Sequence, residues 1–313
     1  MPAGGFVHQA HIYDSEQEFL AAAVPFARAG IGAEEAVLAR VKASNAEALL
    51  DALGGDAYAI DIDAGDGYFE TPARTRSKLL DWTRAQADGG RVRVLGEAPW
   101  PLSSPDGVRE WARHEAVINL AFAGLPVTFA CPYDAGGLPP SIIEHAEHTH
   151  PEIVRAGSVA DSPVYADPRD FCSALNDAAP ALSGSPAAEL AVEAERLSSL
   201  RELVQGHAWE AGVAVGRIAD IVLAVDEVAT NALVHGAEPA VVRVWREPGE
   251  IVFEVSDSGA GIHDPVAGQL VPSGDAAAGR GLWTARQLCD SVEFRRNPSG
   301  VAVTLHITLP DQV

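Results

Sequence analysis

The sequence predicts an α/β protein of 313 residues with two domains. In residues 6–179, strand-like and helix-like segments alternate, which is typical of a parallel sheet with helices on both faces. Residues 180–187 are rich in Ala, Ser, Gly and Pro and predict a linker. In residues 188–312, helices accompany paired strands joined by short turns, which predicts helices on one face of a mostly antiparallel sheet.

The elements of the first domain follow from periodicity and end signals. Ser15, with Glu18 three residues later, forms a capping box and predicts a helix that ends near Ala29. A short strand is predicted just before it, at His11–Tyr13. Further strands are predicted at 35–41, 58–63, 91–95 and 126–131, and further helices at 45–53, 71–87 and 108–122.

Charge and cysteine content exclude several classes of function. The formal net charge of −22 repels nucleic acid backbones and anionic membranes, so we expect neither as a partner. The sequence shows no signal peptide and no run of eighteen apolar residues. It predicts a cytoplasmic protein, because the three cysteines have no paired spacing: Cys131, Cys172 and Cys289.

The segment Ile221–Gly236 carries the first chemical motif. Its apolar residues recur at helical spacing, and Glu227 and Asn231 are four apart, so they share a face of the predicted helix. An amide oxygen is a hard ligand for Mg²⁺, and a carboxylate can take a proton from a hydroxyl or water. Taken alone, the pair equally fits a core helix that shows two polar residues to solvent.

Two glycine-rich turns follow this helix. A strand at 251–255 runs into Asp257, Gly259 and Gly261, where glycines allow a ligand to approach closely and the aspartate could accept from an exocyclic amine. Gly279 and Gly281 then open an apolar-periodic helix, whose N-terminus is a natural phosphate site. The three elements in this order predict a nucleotide site.

These motifs resemble the N, G1 and G2 boxes of the GHKL (Bergerat-fold) ATPases. The boxes correspond to Glu227–Asn231, Asp257–Gly261 and Gly279–Gly281. The short gap between the last two, and the sequence GRGLW, are similar to the RsbW-type anti-sigma factor serine kinases. The resemblance covers roughly Ala188–Leu309 and implies a two-layer α/β sandwich.

The resemblance also implies roles for individual residues. Asn231 would hold the Mg²⁺ of ATP, Glu227 would be the catalytic base, and Asp257 would hold the adenine amino group. After Gly300 the family usually has threonine, whereas this chain has Val301. The pocket and phosphate loop would be formed by Gly259, Gly261, Gly279, Arg280 and Gly281.

Two flanking segments complete the expectations for this half. Residues 189–211 predict one long amphipathic helix, with Arg201 facing a partner, the nucleotide or solvent. Residues 263–278 contain glycines, prolines and alanines and predict a short lid that is mobile when the site is empty.

The first half resembles the MEDS domain, a sensory module of prokaryotic signalling proteins related to RecA-like folds. The residues that carry this resemblance are His11–Tyr13, Cys131–Asp134, His150–Pro151 and Tyr165–Phe171. It implies a sensor for a small ligand that the family does not fix, or a platform for protein interaction. We predict a sensing pocket at His11 and Cys131.

Other histidines leave alternatives open. His145 and His148 could share a helical face and bind a metal with a third group, or they could end a solvent-exposed polar helix. His114, followed by Glu115, superficially resembles the phosphoacceptor of histidine kinases, but the paired dimerisation helices are not found in the sequence.

The resemblances together imply a cytoplasmic regulator that binds Mg·ATP. It would phosphorylate a serine or threonine of a STAS-type anti-sigma antagonist and bind a sigma factor when that antagonist is unavailable, and the resemblance makes a homodimer possible. The alternative is a partner-switch module that keeps ATP without kinase activity. A histidine kinase using His114 is the least favoured alternative.

Overall fold

A computed structural model describes residues 5–64, 71–87, 89–236, 239–259, 261–272, 279–297 and 300–309. The chain forms two compact units, Met1–Phe171 and Cys172–Val313. The α/β class predicted for both halves is confirmed by the sheets described below. Among the described helices, none is both long and apolar enough to cross a membrane.

The first unit contains a seven-stranded sheet and its covering helices. The strands are β1 (Val7–Tyr13), β2 (Ala36–Val41), β3 (Asp61–Ala64), β4 (Val92–Gly96), β5 (Val127–Asp134), β6 (Glu152–Arg155) and β7 (Ser158–Asp161). The helices are α1 (Glu16–Gly32), α2 (Ala43–Leu53), α3 (Pro72–Ala87), α4 (Pro105–Ala121), α5 (Pro140–Thr149) and α6 (Pro168–Ala178), the last of which ends in the second unit.

The strand order of this sheet is β3-β2-β4-β5-β1-β6-β7, and all neighbours are parallel except the β6–β7 hairpin at one edge. Two separate cores lie on its two faces. Side chains of α1 and α2 fill one core, and side chains of α3, α4 and α5 fill the other. The predicted parallel sheet with helices on both faces is therefore confirmed.

Local chemistry explains where the elements begin and end. The Ser15 hydroxyl accepts a hydrogen bond from the Glu18 N–H at 3.3 Å, as the capping box predicts. The strand predicted at 58–63 is wrong in its first half, since a 3-10 turn occupies Gly54–Ala59 and β3 begins at Asp61. Gly54, at φ +58°, ends α2 and allows the chain to turn before the strand.

The second unit is a two-layer sandwich. Its elements are β8 (Ala188–Val192), α7 (Leu197–Glu210), α8 (Val215–His235), β9 (Ala240–Glu247), β10 (Glu250–Asp257), α9 (Arg280–Leu288), β11 (Ser291–Asn297) and β12 (Gly300–Thr308). The sheet order is β11-β12-β10-β9-β8, with every pair antiparallel. The three helices α7, α8 and α9 share one core with this sheet, which confirms the predicted architecture.

The single helix predicted at 189–211 is wrong. The chain first forms β8, an edge strand paired with β9, and α7 begins only at Leu197. Exposure alternates along β8, so that Leu190 and Val192 turn toward the core while Glu189 turns away. Glu189 accepts from Arg243 of β9 at 2.6 Å. These residues therefore form a strand, because the alternation of apolar and polar side chains and this cross-strand pair stabilise β8 more than the helical spacing of the leucines stabilises a helix.

Candidate functional site

Helix α8 presents the first motif of the candidate site. Its buried apolar stripe, which includes Ile221, Val225 and Val228, packs into the core of the sandwich. Glu227 and Asn231 are half-buried on the same helix, four residues apart. The pair therefore lies at the edge of the core and not on a fully solvated face.

The first turn of α9 lies directly against this pair. A Cβ atom on Gly281 would lie 2.7 Å from Nδ2 of Asn231 and 2.7 Å from Oε2 of Glu227. Because glycine has no side chain, the helix backbone can come this close to both polar groups. Gly279 caps α9 in the left-handed conformation, at φ +92°, and opens the helix N-terminus at the same place.

Close backbone contacts hold Asp257 at the end of β10. Its Oδ1 accepts from the Gly259 N–H at 2.7 Å. A Cβ on Gly236 would lie 2.4 Å from the same oxygen, and a Cβ on Gly300 would lie 1.9 Å from the Asp257 carbonyl oxygen. We call Gly236, Asp257, Gly259 and Gly300 the glycine corner. It fixes the aspartate by backbone packing.

A cleft of about 190 Å³ opens between α8, α9, β10 and β12. Four of the predicted site residues line it: Asn231, Asp257, Gly261 and Gly279. Glu227, Gly259, Arg280 and Gly281 are outside its lining, although Glu227 and Gly281 are adjacent to Asn231. The remaining lining side chains are mostly apolar: Val228, Ala232, Val255, Ile262, Leu282, Val301 and Val303. The cleft therefore pairs an apolar wall with a carboxylate, an amide and a helix N-terminus.

Two lining residues carry information that the motifs did not. Val301 is the cross-strand partner of Asp257 and is buried, so its methyl groups lie beside the aspartate. His235 also lines the cleft, although it belongs to none of the three motifs. Its position four residues after Asn231 on the same helix was the pattern that could have revealed it.

Residues 263–272, the described part of the segment predicted as a mobile lid, contact helix α9. Val266 is buried, and the Ala267 carbonyl accepts from Nε of Arg286 at 3.2 Å. A Cβ on Gly268 would lie 2.7 Å from the backbone of Leu282, so this segment packs tightly on α9. The described part of the predicted lid is therefore packed against α9 around Val266, Ala267 and Gly268, and its mobility stays a prediction. The rest of the predicted lid, 273–278, lies outside the described residues.

Arg201 makes a bidentate ion pair with Asp226 of α8, with both N–O distances at 2.9 Å. Its side chain is 54% exposed, and it is not part of the cleft lining. Of the orientations left open by the sequence, the exposed one is observed.

In the first unit the structure does not bring His11 and Cys131 together. The ring of His11 lies 6.1 Å from that of Phe26 in α1, on one face of the sheet. Cys131 belongs to the core on the other face, and its Sγ lies 3.4 Å from Nε2 of His8. Burial lowers the pKa of His11 to about 4 and raises the pKa of the Cys131 thiol. A single pocket containing both side chains is therefore not formed.

The other predicted histidines also have structural surroundings. His145 and His148 both lie against the ring of Phe171, at 5.8 and 6.4 Å between centroids. His114 is buried, and its Nδ1 lies 2.8 Å from the carbonyl oxygen of Pro72. A phosphoacceptor must reach an external phosphoryl donor, so the histidine kinase hypothesis is wrong for His114.

Comparisons with known proteins agree with this two-part architecture. Residues 7–151 match the MEDS family, the methanogen/methylotroph DcmR sensory domain, and residues 190–307 match the histidine kinase-like ATPase domain. The chain thus joins a MEDS-like domain to a GHKL kinase-like domain.

Among solved structures, the RsbU and RsbW domains of Rv1364c from Mycobacterium tuberculosis show 23% identity and a TM-score of 0.29, over 40% of this chain. The match spans about a third, 33%, of that chain. No curated protein sequence matches significantly.

Proposed function

We propose that the second unit binds Mg·ATP and phosphorylates a serine or threonine of a STAS-type anti-sigma antagonist. It would bind a sigma factor when that antagonist is unavailable, and the first unit would tune this output by sensing a ligand or partner. The observation that supports the nucleotide site most strongly is the contact of Gly281 with Glu227 and Asn231. The choice of protein substrate rests on the similarity of GRGLW to the RsbW-type kinases.

The donor set fits Mg·ATP. Asn231 faces the cleft with an amide, whose oxygen is a hard ligand that suits Mg²⁺. The N-terminus of α9 at Gly279 faces the same space and favours phosphate oxygens. Asp257 accepts from Gly259 through Oδ1, and no donor among the described residues reaches its Oδ2, which leaves an acceptor for an exocyclic amine. The apolar wall suits the flat faces of a purine.

The chain's own residues then supply alignment and proton transfer. Asn231 would hold the Mg²⁺ of ATP, which when bound would supply charge neutralisation for phosphoryl transfer. Glu227, next to Asn231, is positioned to accept the proton of the attacking serine or threonine hydroxyl. The α9 backbone, held against Glu227 by Gly281, keeps the phosphates and the base in one frame.

A second candidate is a module that binds ATP without kinase activity. It is favoured by Val301, which places methyl groups instead of a hydroxyl opposite Asp257. Loss of that hydroxyl removes one hydrogen bond near the nucleotide, worth about 0.5–1.5 kcal/mol. Such a module would switch partners through nucleotide binding alone.

Calorimetry of Mg·ATP binding tests the nucleotide site. We expect Asn231→Ala to weaken binding at least about tenfold in the presence of Mg²⁺ and to have little effect with EDTA, since the amide acts on the metal. Thr230→Ala, the neighbouring position on α8, is the matched control and should bind normally. Absence of wild-type binding at millimolar ATP would refute the proposal.

Transfer of labelled phosphate to purified STAS-type antagonists tests the kinase step. Glu227→Gln should bind ATP as the wild type does and lose about 10²–10⁴-fold in transfer rate, as expected for removal of a general base. Glu202→Gln, an exposed acid on α7, is the control. If the wild type binds ATP but transfers nothing, the second candidate holds.

A further inference from the structure

Four residues from separate elements meet inside the first unit. His8 of β1, Glu115 of α4, Cys131 of β5 and His150 at the end of α5 are all buried, and their potential ligand atoms lie within 4.8 Å of one another. We call them the buried cluster. We propose that the buried cluster binds a divalent transition metal of the Zn²⁺ type. The site is in the other unit from the nucleotide cleft and is independent of the function proposed above.

Three of the six separations between ligand atoms match a tetrahedral metal shell, and the other three are within 4.8 Å. Nε2 of His8 lies 3.4 Å from Sγ of Cys131 and 3.5 Å from Oε2 of Glu115, which is also 3.5 Å from Nε2 of His150. Metal–ligand bonds of about 2.0–2.3 Å in a tetrahedron place ligand atoms about 3.3–3.8 Å apart. The donor set of two imidazoles, a thiolate and a carboxylate is one that Zn²⁺ accepts.

Two atoms of the cluster have no hydrogen-bond partner. Within the described part of the chain, neither Oε2 of Glu115 nor Nε2 of His150 has one, although both are fully buried. Buried polar atoms are normally satisfied, because an unpaired one keeps the cost of leaving water without a compensating hydrogen bond. A cation at the centre would satisfy both atoms at once. In a metal-free core, a proton on the Glu115 carboxyl, whose pKa burial raises, would instead be shared with Nε2 of His150 at 3.5 Å, and the metal titration below separates the two arrangements.

The tautomer of His8 is set by Asn119. The Asn119 amide nitrogen donates to the carbonyl oxygens of Thr149, at 2.8 Å, and Ala116, at 3.2 Å. Its oxygen therefore faces Nδ1 of His8, at 3.2 Å, and must accept a hydrogen bond from it. The proton is held on Nδ1, and the lone pair of Nε2 points into the cluster, as in metal sites whose histidines are oriented by an outer partner.

His150 is oriented in the same way. Its Nδ1 lies 2.9 Å from the carbonyl oxygen of Ala146, so this nitrogen carries the proton and Nε2 is left to face Glu115. With Nδ1 of each ring donating to these partners, Nε2 of each ring carries the lone pair that can bind a metal.

A small cavity provides access to the cluster. About 20 Å³ in volume, it is lined by Glu115 and Cys131 and by residues of β2, β4 and α3. A space of this size admits a water-sized ligand next to the thiol and the carboxylate. The metal would thus be held by four protein ligands and approached from one side.

Cobalt titration of the full-length chain, stripped with a chelator, tests the proposal. We expect one Co²⁺ per chain, with a thiolate-to-cobalt charge-transfer band and the visible bands of tetrahedral cobalt, and displacement by Zn²⁺. Cys131→Ser should remove the charge-transfer band. Cys289→Ser, which changes a buried cysteine of the second unit, should retain it. A folded wild type that shows no cobalt bands at excess Co²⁺ overturns the proposal without any variant.

A second comparison separates metal binding from general packing. Asn119→Ala removes no ligand and should weaken Co²⁺ binding by about 10–100-fold, the usual effect of losing an outer partner. His145→Ala changes a histidine of α5 that precedes His150 and lies outside the cluster. This variant should bind Co²⁺ as the wild type does. Circular dichroism confirms that each variant is folded. Unchanged Co²⁺ affinity in folded His150→Ala and Glu115→Gln would also overturn the proposal.

Discussion

The cleft of the second unit and the buried cluster of the first unit use different parts of the chain to prepare a site. In the cleft, glycines shape the site, because the lack of a side chain lets the backbone come close to Asp257, Asn231 and Glu227. In the buried cluster, by contrast, four side chains from different parts of the first unit converge in the interior. The cleft has room for a bulky anion, whereas the cluster has room for one ion.

This difference indicates how each site chooses its ligand. A helix N-terminus and a backbone corner recognise shape and negative charge with few side chains, which suits a nucleotide. Neutral imidazoles, a thiol and a carboxyl, oriented from outside, recognise a metal through donor type and distance. The comparison therefore predicts that the cleft is sensitive to added Cβ atoms and the cluster to changes of charge.

The largest effect is expected for Gly300→Ala in the glycine corner. The new Cβ would overlap the Asp257 carbonyl oxygen at 1.9 Å, and the backbone at φ +144° disfavours any other residue. Neither obstacle is a flexible side chain, so we expect a loss of about 3 kcal/mol or more in the free energy of unfolding. Denaturant titration of the unfolding of the second unit measures this loss of stability. Gly206→Ala, on α7, is the control, because a Cβ atom there would meet no neighbouring atom. A loss below about 1 kcal/mol would show that the corner can relax.

Gly281→Ala should separate stability from function. The added Cβ meets only the flexible ends of Asn231 and Glu227, which can move aside. We expect a change of less than about 1 kcal/mol in the free energy of unfolding and a loss of about 100-fold in phosphoryl transfer, since a small misplacement of catalytic groups has effects of this size. Equal losses in both measurements would mean that the contact is only structural. Gly216→Ala, on α8 in open space, should change neither.

His11 should make the first unit lose stability in acid. Burial holds its pKa at about 4 in the folded chain, below the ordinary 6.5. Above pH 6.5 both states are neutral; as the pH falls from 6.5 toward 4, only the unfolded state takes up the proton. The free energy of unfolding therefore falls by at most about 1.4 kcal/mol per pH unit from this group.

Hydrogen exchange of the β1 amides, measured between pH 7 and pH 4, reports this fall in the free energy of unfolding. His11→Gln should flatten the slope by up to one proton, whereas the exposed His263→Gln in the second unit should leave it unchanged. If His11→Gln keeps the full slope, the imidazole takes up its proton without opening the sheet.

The smallest effect is expected for Val301→Thr, which introduces a hydroxyl opposite Asp257. It should tighten Mg·ATP binding by about three- to tenfold, the value of one hydrogen bond, and lower the stability of the empty unit slightly by burying a polar group. Calorimetry and thermal unfolding with and without ATP measure both. Val301→Ala, which adds no hydroxyl, is the control. No gain in affinity would show that the methyl groups do not limit binding.

The cleft could be predicted from the sequence because each of its motifs is local. Glu227 and Asn231 are four apart on one helix, and the glycines of Gly259–Gly261 and Gly279–Gly281 stand two apart, so each pattern is complete within a few residues. Val301 could be singled out because it follows Gly300. The sequence alone could not predict that Val301 lies opposite Asp257 on the neighbouring strand, because this depends on the register of β10 and β12.

The buried cluster could not be predicted, because its members are scattered along the chain. The register of β1 on β5, which pairs Ala10 with Cys131, brings His8 near the cysteine, and α4 adds Glu115 from above the sheet. Alternation along β1 places His11 on the opposite face of the sheet from His8 and Cys131, which its position next to Ile12 and Tyr13 in the sequence does not reveal. The helix expected at 189–211 was wrong for a similar reason, since β8 depends on its partner β9.

The glycine corner has a consequence at the level of the gene. Any single-base change that replaces a glycine codon by another amino acid adds a Cβ, because every other residue has one. At Gly236, Gly259 and Gly300 that atom would meet Asp257 or its neighbours at 2.5 Å or less. We therefore expect every missense change at these three codons to destabilise the second unit, whichever amino acid it introduces.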